Sequence, residues 1–343
     1  MTLNPSRTPV IPTWTPVPTW PSGAGPKIYV VQAGDTLQEL AERFKLELKA
    51  LATANALGEG DQIQAGQSLV IPPERGAGSS ATVTLHPEES ALIATSGTLV
   101  SKHQLGLSTQ GRPIEAYQIG NGEIRIVFIG GIHGGYEWNT ILLAYRAIDF
   151  FAAHPDEVAD EISLIIVPTA NPDGQHAVVG HGGRFSPDEV AADSLPGRFN
   201  GSGVDLNRNW SCDWAPTAFL GEQEISAGAA PFSEVETRIL RFFLTSPTMD
   251  AVIFWHSAKP GVFAGACDEP LPEAKALAAV YAQAADYPLF DGFDDYPVTG
   301  DASDWLSGIG IPALTVELSS HTGIDWPQNL AAMRAVFGLF VGS

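Results

Sequence analysis

Residues 124–140, "IRIVFIGGIHGGYEWNT", open with an apolar, largely β-branched run, pass through two glycine pairs, and carry His133 and Glu137 four positions apart. β-branched and aromatic side chains favour a strand, and glycines punctuate its end. The segment that follows, "NTILLAYRAIDFFAA", has apolar residues at helical spacing. The same alternation continues through "ISLIIVPTA", the helical "SEVETRILRFFLT", "DAVIFWH", the helical "EAKALAAVYAQAA", "IPALTVEL" and a terminal helix to Phe340. Unbroken apolar strands separated by helices predict an α/β domain whose mixed, mostly parallel sheet is flanked by helices. Sites in such sheets lie beyond the carboxyl ends of the strands, so the polar residues there matter most.

The chain of 343 residues is long enough for two domains with separate cores. Its 39 acidic residues against 18 basic give a formal charge of −21, and there is no Lys/Arg run. Such a chain lacks the basic surface that a phosphate backbone attracts, which argues against a nucleic-acid partner. No stretch approaches the ~20 apolar residues of a membrane span. The opening "MTLNPSRTPV" has no apolar signal-peptide core, so the chain is either cytoplasmic or belongs to an exported protein whose signal has been removed. Cys212 and Cys267 are too few for a disulfide scaffold and lack metal-type spacing; one bridge and two buried thiols fit them equally well.

Residues 1–26 are rich in Pro and Thr and predict an extended tether. Over 27–73, "IYVVQAGDTLQELAERFKLELKALATANAL" and "IQAGQSLVIPP" predict a β-α-α-β unit. Asp35 or Thr36 caps its first helix, the second runs from about Glu47 to Ala56, and a strand covers Ser68 to Ile71. These residues resemble a LysM domain along nearly its full length. The resemblance implies binding of N-acetylglucosamine-containing glycans such as peptidoglycan strands, in a groove between the Gly34–Leu37 turn and the loop at 57–62. Residues 74–95 are small and polar and read as a linker to a second domain at 96–343.

In that second domain the strand ends deliver His133 with Glu137, then "NPDG", then His256 in "DAVIFWHS", and Glu317 in "IPALTVEL". A histidine and glutamate close in sequence, with a second histidine far downstream, is the donor set of a catalytic zinc: three protein groups and an open position. Hydrolysis then needs a carboxylate left free of the metal to accept and return a proton, and Glu317 is the candidate. "GRFNGSGVDLNRNW" supplies Arg198 and Arg208 as fixed cations, with Asn207 beside them. Taken singly, Arg208 and Asp205 read as an ordinary salt bridge. Turn chemistry accounts for Asn171-Pro172-Asp173-Gly174. His103, His154, His176, His181 and His321 lack ligand spacing and read as surface or structural residues.

The ordered set "GGIHGGYEW", "NPDG", "GVDLNRNW", "WHS" and "TVEL" resembles the zinc carboxypeptidase family of the carboxypeptidase A type. The resemblance implies one Zn2+ held by His133, Glu137 and His256, with Glu317 as general base and acid. It implies that Arg198 polarises the scissile carbonyl and that Asn207 and Arg208 hold the substrate's terminal carboxylate. Tyr296 falls at the family's mobile active-site tyrosine and Ser303 at the floor of its specificity pocket. One departure stands out: the family places two residues between the first histidine and the glutamate, and here Gly134, Gly135 and Tyr136 make three. A glycine at positive φ can loop out the extra residue and return Glu137 to the metal.

Asp301 and Asp304 flank Ser303, a setting suited to an amphoteric group such as diaminopimelate. Together the two modules predict an extracellular or wall-associated zinc metallopeptidase that cuts peptidoglycan stem peptides at the γ-D-glutamyl–diaminopimelate bond. Two alternatives share the sequence: a wall-tethered general metallocarboxypeptidase, and a glycan-binding pseudoenzyme if the longer spacer displaces Glu137.

Overall fold

The computed structural model describes residues 27–71, apart from 33, 56, 58–61 and 64–67, and residues 100–342, apart from 294 and 295. The expected tether, the expected linker and most of the loop of the expected glycan groove lie outside the described residues. The chain divides into two compact units, Met1–Ala81 and Thr82–Ser343.

In the first unit, β1 (Lys27–Val30) pairs antiparallel with β2 (Ser68–Ile71), and α1 (Leu37–Arg43) and α2 (Leu48–Ala54) lie between them in sequence. Thr36 caps α1: its hydroxyl accepts the Glu39 N–H, while the Glu39 carboxylate accepts the Thr36 N–H. This reciprocal cap satisfies donors that the first helical turn otherwise leaves open. Val31, Leu37, Leu40, Leu51, Leu69 and Ile71 form the unit's core.

The second unit begins with the antiparallel strands β3 (Val100–Leu107) and β4 (Pro113–Ile119). Then come β5 (Ile124–Ile129), α3 (Trp138–Ala153), β6 (Ile162–Val167) and α4 (Pro172–Val179). A small hairpin, β7 (Thr217–Leu220) and β8 (Gln223–Ser226), precedes α5 (Val235–Thr245) and β9 (Ala251–Ser257). The chain closes with β10 (Gly261–Ala264), α6 (Pro272–Ala285), β11 (Leu289–Phe290), α7 (Ala302–Gly308), β12 (Ala313–Leu318) and α8 (Trp326–Val341). The eight-stranded sheet has the order β11-β10-β12-β9-β5-β6-β4-β3. Its four central strands run parallel, while β4, β3 and β10 introduce the antiparallel pairings.

Alternation along the central strands explains their unbroken apolar character. Ile126 and Phe128 of β5, Ile253 and Trp255 of β9, and Leu314 and Val316 of β12 join a core closed by Ile141 of α3, Leu277 of α6 and Met333 of α8. The residues between them, Val127, Ile129, Val252 and Phe254, are buried as well. Burial on both faces contributes about 1.5–3 kcal/mol per large apolar side chain. The one polar thread through this core is satisfied: Trp255 Nε1 donates to Tyr281 Oη at 2.9 Å, and Tyr281 donates to Asn329 Oδ1.

Residues 171–174 form the start of α4 instead of an isolated turn. Asn171 Oδ1 caps the helix by accepting the Gly174 N–H at 2.8 Å, and Pro172 occupies the first turn, where no amide donor is missed. Asp173 is structural, as expected, but for a tertiary reason. Its buried carboxylate accepts from Ser108 Oγ at 2.6 Å, Gln110 N at 3.0 Å and Arg112 Nη1 at 2.7 Å, which ties the β3–β4 turn to the helix. Asp173→Ala leaves those donors unpaired and is expected to lower stability by about 2 kcal/mol. Urea unfolding followed by near-ultraviolet circular dichroism checks this; an unchanged midpoint would remove the clamp from the account.

Candidate metal centre and active site

β5 and β9 run parallel with Ile129 opposite Phe254, and β12 runs parallel to β9 with Glu317 opposite His256. His133, His256 and Glu317 therefore emerge together at the carboxyl end of the sheet. After His133 the chain makes a short 3-10 turn, Gly134–Glu137, which brings Glu137 back beneath the histidine. Gly134 has φ +45, and a Cβ there would come within 2.5 Å of Gly197 O and 2.8 Å of Gly174 Cα. Only glycine fits both the backbone angle and the space.

The turn absorbs the extra residue. His133 Nδ1 lies 2.7 Å from Glu137 Oε1, His256 Nδ1 lies 3.2 Å from Glu137 Oε2, and the imidazole centroids are 4.9 Å apart. One donor atom from each of the three residues lies within 4.8 Å of the others, and they are the one cluster of metal-type side chains among the described residues. All three are buried, at 4%, 3% and 2% exposure for His133, Glu137 and His256, too deep for solvent to satisfy their polar atoms. Glu137 Oε2, His133 Nε2 and His256 Nε2 have no hydrogen-bond partner. Two imidazoles turned toward an under-satisfied buried carboxylate suit a borderline-soft dication such as zinc.

The charges fit the same reading. Burial pushes the Glu137 carboxyl up, but the adjacent His133 and His256 outweigh it and hold the group far below its ordinary range. Burial pulls His256 down, yet the Glu137 carboxylate prevails and raises it. Glu317 stands outside this cluster, half-buried, with the Lys259 N–H 3.3 Å from its Oε2. Burial and the nearby Glu137 charge push its pKa up to about 7.

Arg198 ends a 3-10 turn at Leu195–Arg198 and is 2% exposed. Its Nε donates to Asp205 Oδ2 at 2.8 Å, and its Nη1 lies 3.4 Å from His133 Nδ1 and 3.8 Å from Glu137 Oε1. The salt bridge read for Arg208 and Asp205 is thus not the one formed: Asp205 pairs with Arg198. Asp205 also accepts the Asn207 N–H at 2.9 Å, so one buried carboxylate braces two site residues, and its Oδ1 lies 3.4 Å from His133 Nε2. It sits two positions before Asn207 within "VDLNR", where spacing alone offered no sign of this role.

The remaining expected site residues are tied to one another and to the start of α7. Arg208 Nη1 donates to Asn207 O at 2.8 Å, while its buried Nε has no partner. Asn207 Nδ2 donates to Asp301 Oδ2 at 2.7 Å, and its Oδ1 accepts the Ala302 N–H. Asp301 caps α7 and takes Ser303 Oγ as well, so it is fully engaged in structure. Ser303 is buried and its Oγ also meets Thr315 Oγ1 at 3.1 Å. Asp304 accepts the Ala266 N–H; burial and the Asp301 charge push it up to about 8. Tyr296 packs against Phe293, within electrostatic reach of Arg208, Arg198, Glu317 and Glu137. Cys212 and Cys267 form a disulfide that ties the chain beyond Arg208 to the chain beyond β10.

Residues 90–329 match the zinc carboxypeptidase family model, and residues 29–72 match the LysM domain model. The chain belongs to the zinc carboxypeptidase family, whose cofactor is zinc. Carboxypeptidase B of Astacus astacus is 33% identical over 154 residues, covering 42% of this chain and 48% of that protein. The chain spans about half or less of the length of the curated relatives it matches. Among solved structures, carboxypeptidase A from Helicoverpa armigera superposes with a TM-score of 0.56 at 19% identity, covering 89% of this chain and 82% of that one. Murein-tripeptide amidase MpaA from Escherichia coli O157 gives 0.50 at 18%, covering 69% and 92%. Both likenesses establish the fold.

Two outcomes follow from this geometry. The purified protein carries one zinc per chain, and His256→Ala lowers that to near zero by elemental analysis; a full equivalent retained would place the metal elsewhere. In metal-free protein Glu317 titrates near 7, and one equivalent of zinc moves it down by offsetting the Glu137 charge. Carboxyl 13C spectra assigned with Glu317→Gln follow this shift, and a rise on adding zinc would contradict it.

Proposed function

We propose that this protein is a zinc peptidase of the cell wall, held on glycan strands by its LysM unit, that cuts peptidoglycan stem peptides at the γ-D-glutamyl–diaminopimelate bond. The observation that carries the proposal is the closure of His133, Glu137 and His256 around one point with the carboxylate of Glu317 free beside it. Bound by these three residues, zinc supplies a Lewis acid and acidifies a water. The protein's own groups do the rest. Glu317 takes a proton from the attacking water and returns it to the leaving amine, a role open to a carboxyl that stands outside the metal cluster. Arg198, fixed by Asp205, polarises the scissile carbonyl and stabilises the charge that develops on its oxygen.

On the leaving side, Asn207 and Arg208 hold the terminal carboxylate, and the unpaired Arg208 Nε is a donor available to it. Tyr296, packed on Phe293, is the residue proposed to close over the bound substrate. At the pocket floor Ser303 contributes neither a charge nor a large apolar group, and Asp304 beside it offers an acceptor. The amine at the end of a diaminopimelate side chain can donate to Asp304, which favours that residue on the leaving side. A murein-tripeptide amidase on the same fold is a precedent for this substrate class on the scaffold. The LysM match favours a wall location, where tethering raises local substrate concentration without any contact at the active site. That matters for a chain of charge −21, which gains no electrostatic help from an anionic wall. No helix among the described residues is long and apolar enough to cross a membrane.

The test is product analysis by mass spectrometry from a diaminopimelate muropeptide and, in parallel, a protein-type peptide. The account expects release at the γ-D-glutamyl bond, loss with chelator, and a drop of at least 100-fold in kcat for Glu317→Gln at full zinc content, the range that general acid–base catalysis contributes being ~10²–10⁴. Turnover of the protein-type peptide alone would make the enzyme a general carboxypeptidase, and turnover of neither would favour the pseudoenzyme.

A further inference from the structure

The last residue of the His133–Glu137 spacer, Tyr136, does not loop idly into solvent. It is half-buried, and the Arg198 guanidinium carbon stands 5.3 Å from its ring centroid. On another side of the ring, His321 lies 5.6 Å away, tilted by 56°. His321 in turn is fixed to the strand that carries His256. Ser257 Oγ donates to Asn139 Oδ1 at 2.9 Å, since Asn139 Nδ2 is already committed to Ser320 O and Gly323 O. The hydroxyl's single hydrogen being used, the proton in the 3.3 Å contact between Ser257 Oγ and His321 comes from Nδ1 of the histidine. Tyr136 thus contacts two groups: a histidine anchored to β9, and the one guanidinium that points into the metal cluster.

The Arg198 side chain needs such a contact. Asp205 holds it through a single hydrogen bond at Nε, while Nη1 lies 3.4 Å from His133 Nδ1 and 3.8 Å from Glu137 Oε1. An aromatic face beside a guanidinium holds its plane through cation–π attraction, which strengthens as water is excluded. The glycines before Tyr136 make the placement possible. A Cβ on Gly135 would come within 2.6 Å of Val178 Cβ, so the turn packs down tightly and leaves only the tyrosine to project.

We infer that Tyr136 is a positioning residue: the last residue of the spacer holds the Arg198 guanidinium in the orientation that meets the scissile carbonyl. The inference rests on the role proposed above for Arg198, and the experiment separates the two. Tyr136→Ala is expected to lower kcat on the order of tenfold with KM within about twofold and zinc content unchanged, whereas Tyr136→Phe, which keeps the ring, retains most of the wild-type rate. Independently of turnover, the Arg198 Nε–Hε resonance, assigned by its disappearance in Arg198→Lys, carries the ring-current shift of the neighbouring tyrosine. That shift persists in Tyr136→Phe and is lost in Tyr136→Ala. If the wild-type protein cleaves no peptide, the proposed function fails and the resonance alone decides the inference. Equal losses of kcat in Phe and Ala, a rise in KM at constant kcat, or an Arg198 resonance unmoved by Tyr136→Ala would each overturn it.

Discussion

A carboxylate without water is the constraint around which the second unit is arranged. Glu137 is removed from solvent, and an ionised group in such a place costs several kcal/mol unless opposite charge and hydrogen bonds compensate it. Compensation comes from His133 in the same segment and His256 on a strand more than a hundred residues later. The register of β5 against β9 is what allows the two imidazoles to reach one carboxylate. Slipping β9 by one residue would turn His256 to the opposite face of the sheet and strand the charge. The polar site and the apolar sheet beneath it therefore specify one another.

Carboxylates also organise the surroundings, each serving several donors at once. Asp205 joins Arg198 and the Asn207 amide, and Asp301 joins Asn207 to the first turn of α7. Through Asn207 the two networks meet, so the metal cluster and the start of α7 share one hydrogen-bonded frame. Gly300 adds to that frame by accepting the Trp210 N–H and donating to Cys212 O beside the disulfide. Glu317 is the exception. It is held by one long backbone contact, and its proton affinity is set by burial and a neighbouring charge.

Much of this was legible in the residues. The central strands are buried on both faces, so their β-branched runs stand out, and the residues just past them fall at the site by the geometry of parallel sheets. The edges read poorly: β3, "VSKHQLGL", is a partly exposed strand whose polar residues mask any alternation, and β10 and β11 are only four and two residues long. "NPDG" was open to a wrong local reading, because the signals for a turn and for a helix start overlap when Asn and Pro come first. Partner choices were illegible. Nothing in "GRFNGSGVDLNRNW" says that Asp205 turns to Arg198 and not to Arg208, since the answer depends on how a loop of short turns folds over the histidine. Nor did His321 carry a signal, as it belongs to no spaced motif, and Tyr136 stood out only as part of the longer spacer.

The central claim is that a spacer one residue longer than the family's still delivers Glu137 to the same metal as His133 and His256. Zinc-edge X-ray absorption on the purified protein tests it directly. The account predicts a first shell of two imidazole nitrogens at about 2.0–2.1 Å plus carboxylate oxygen, with the oxygen component lost in Glu137→Gln. A first shell of two imidazoles and solvent that the Glu137→Gln substitution leaves unchanged would contradict it.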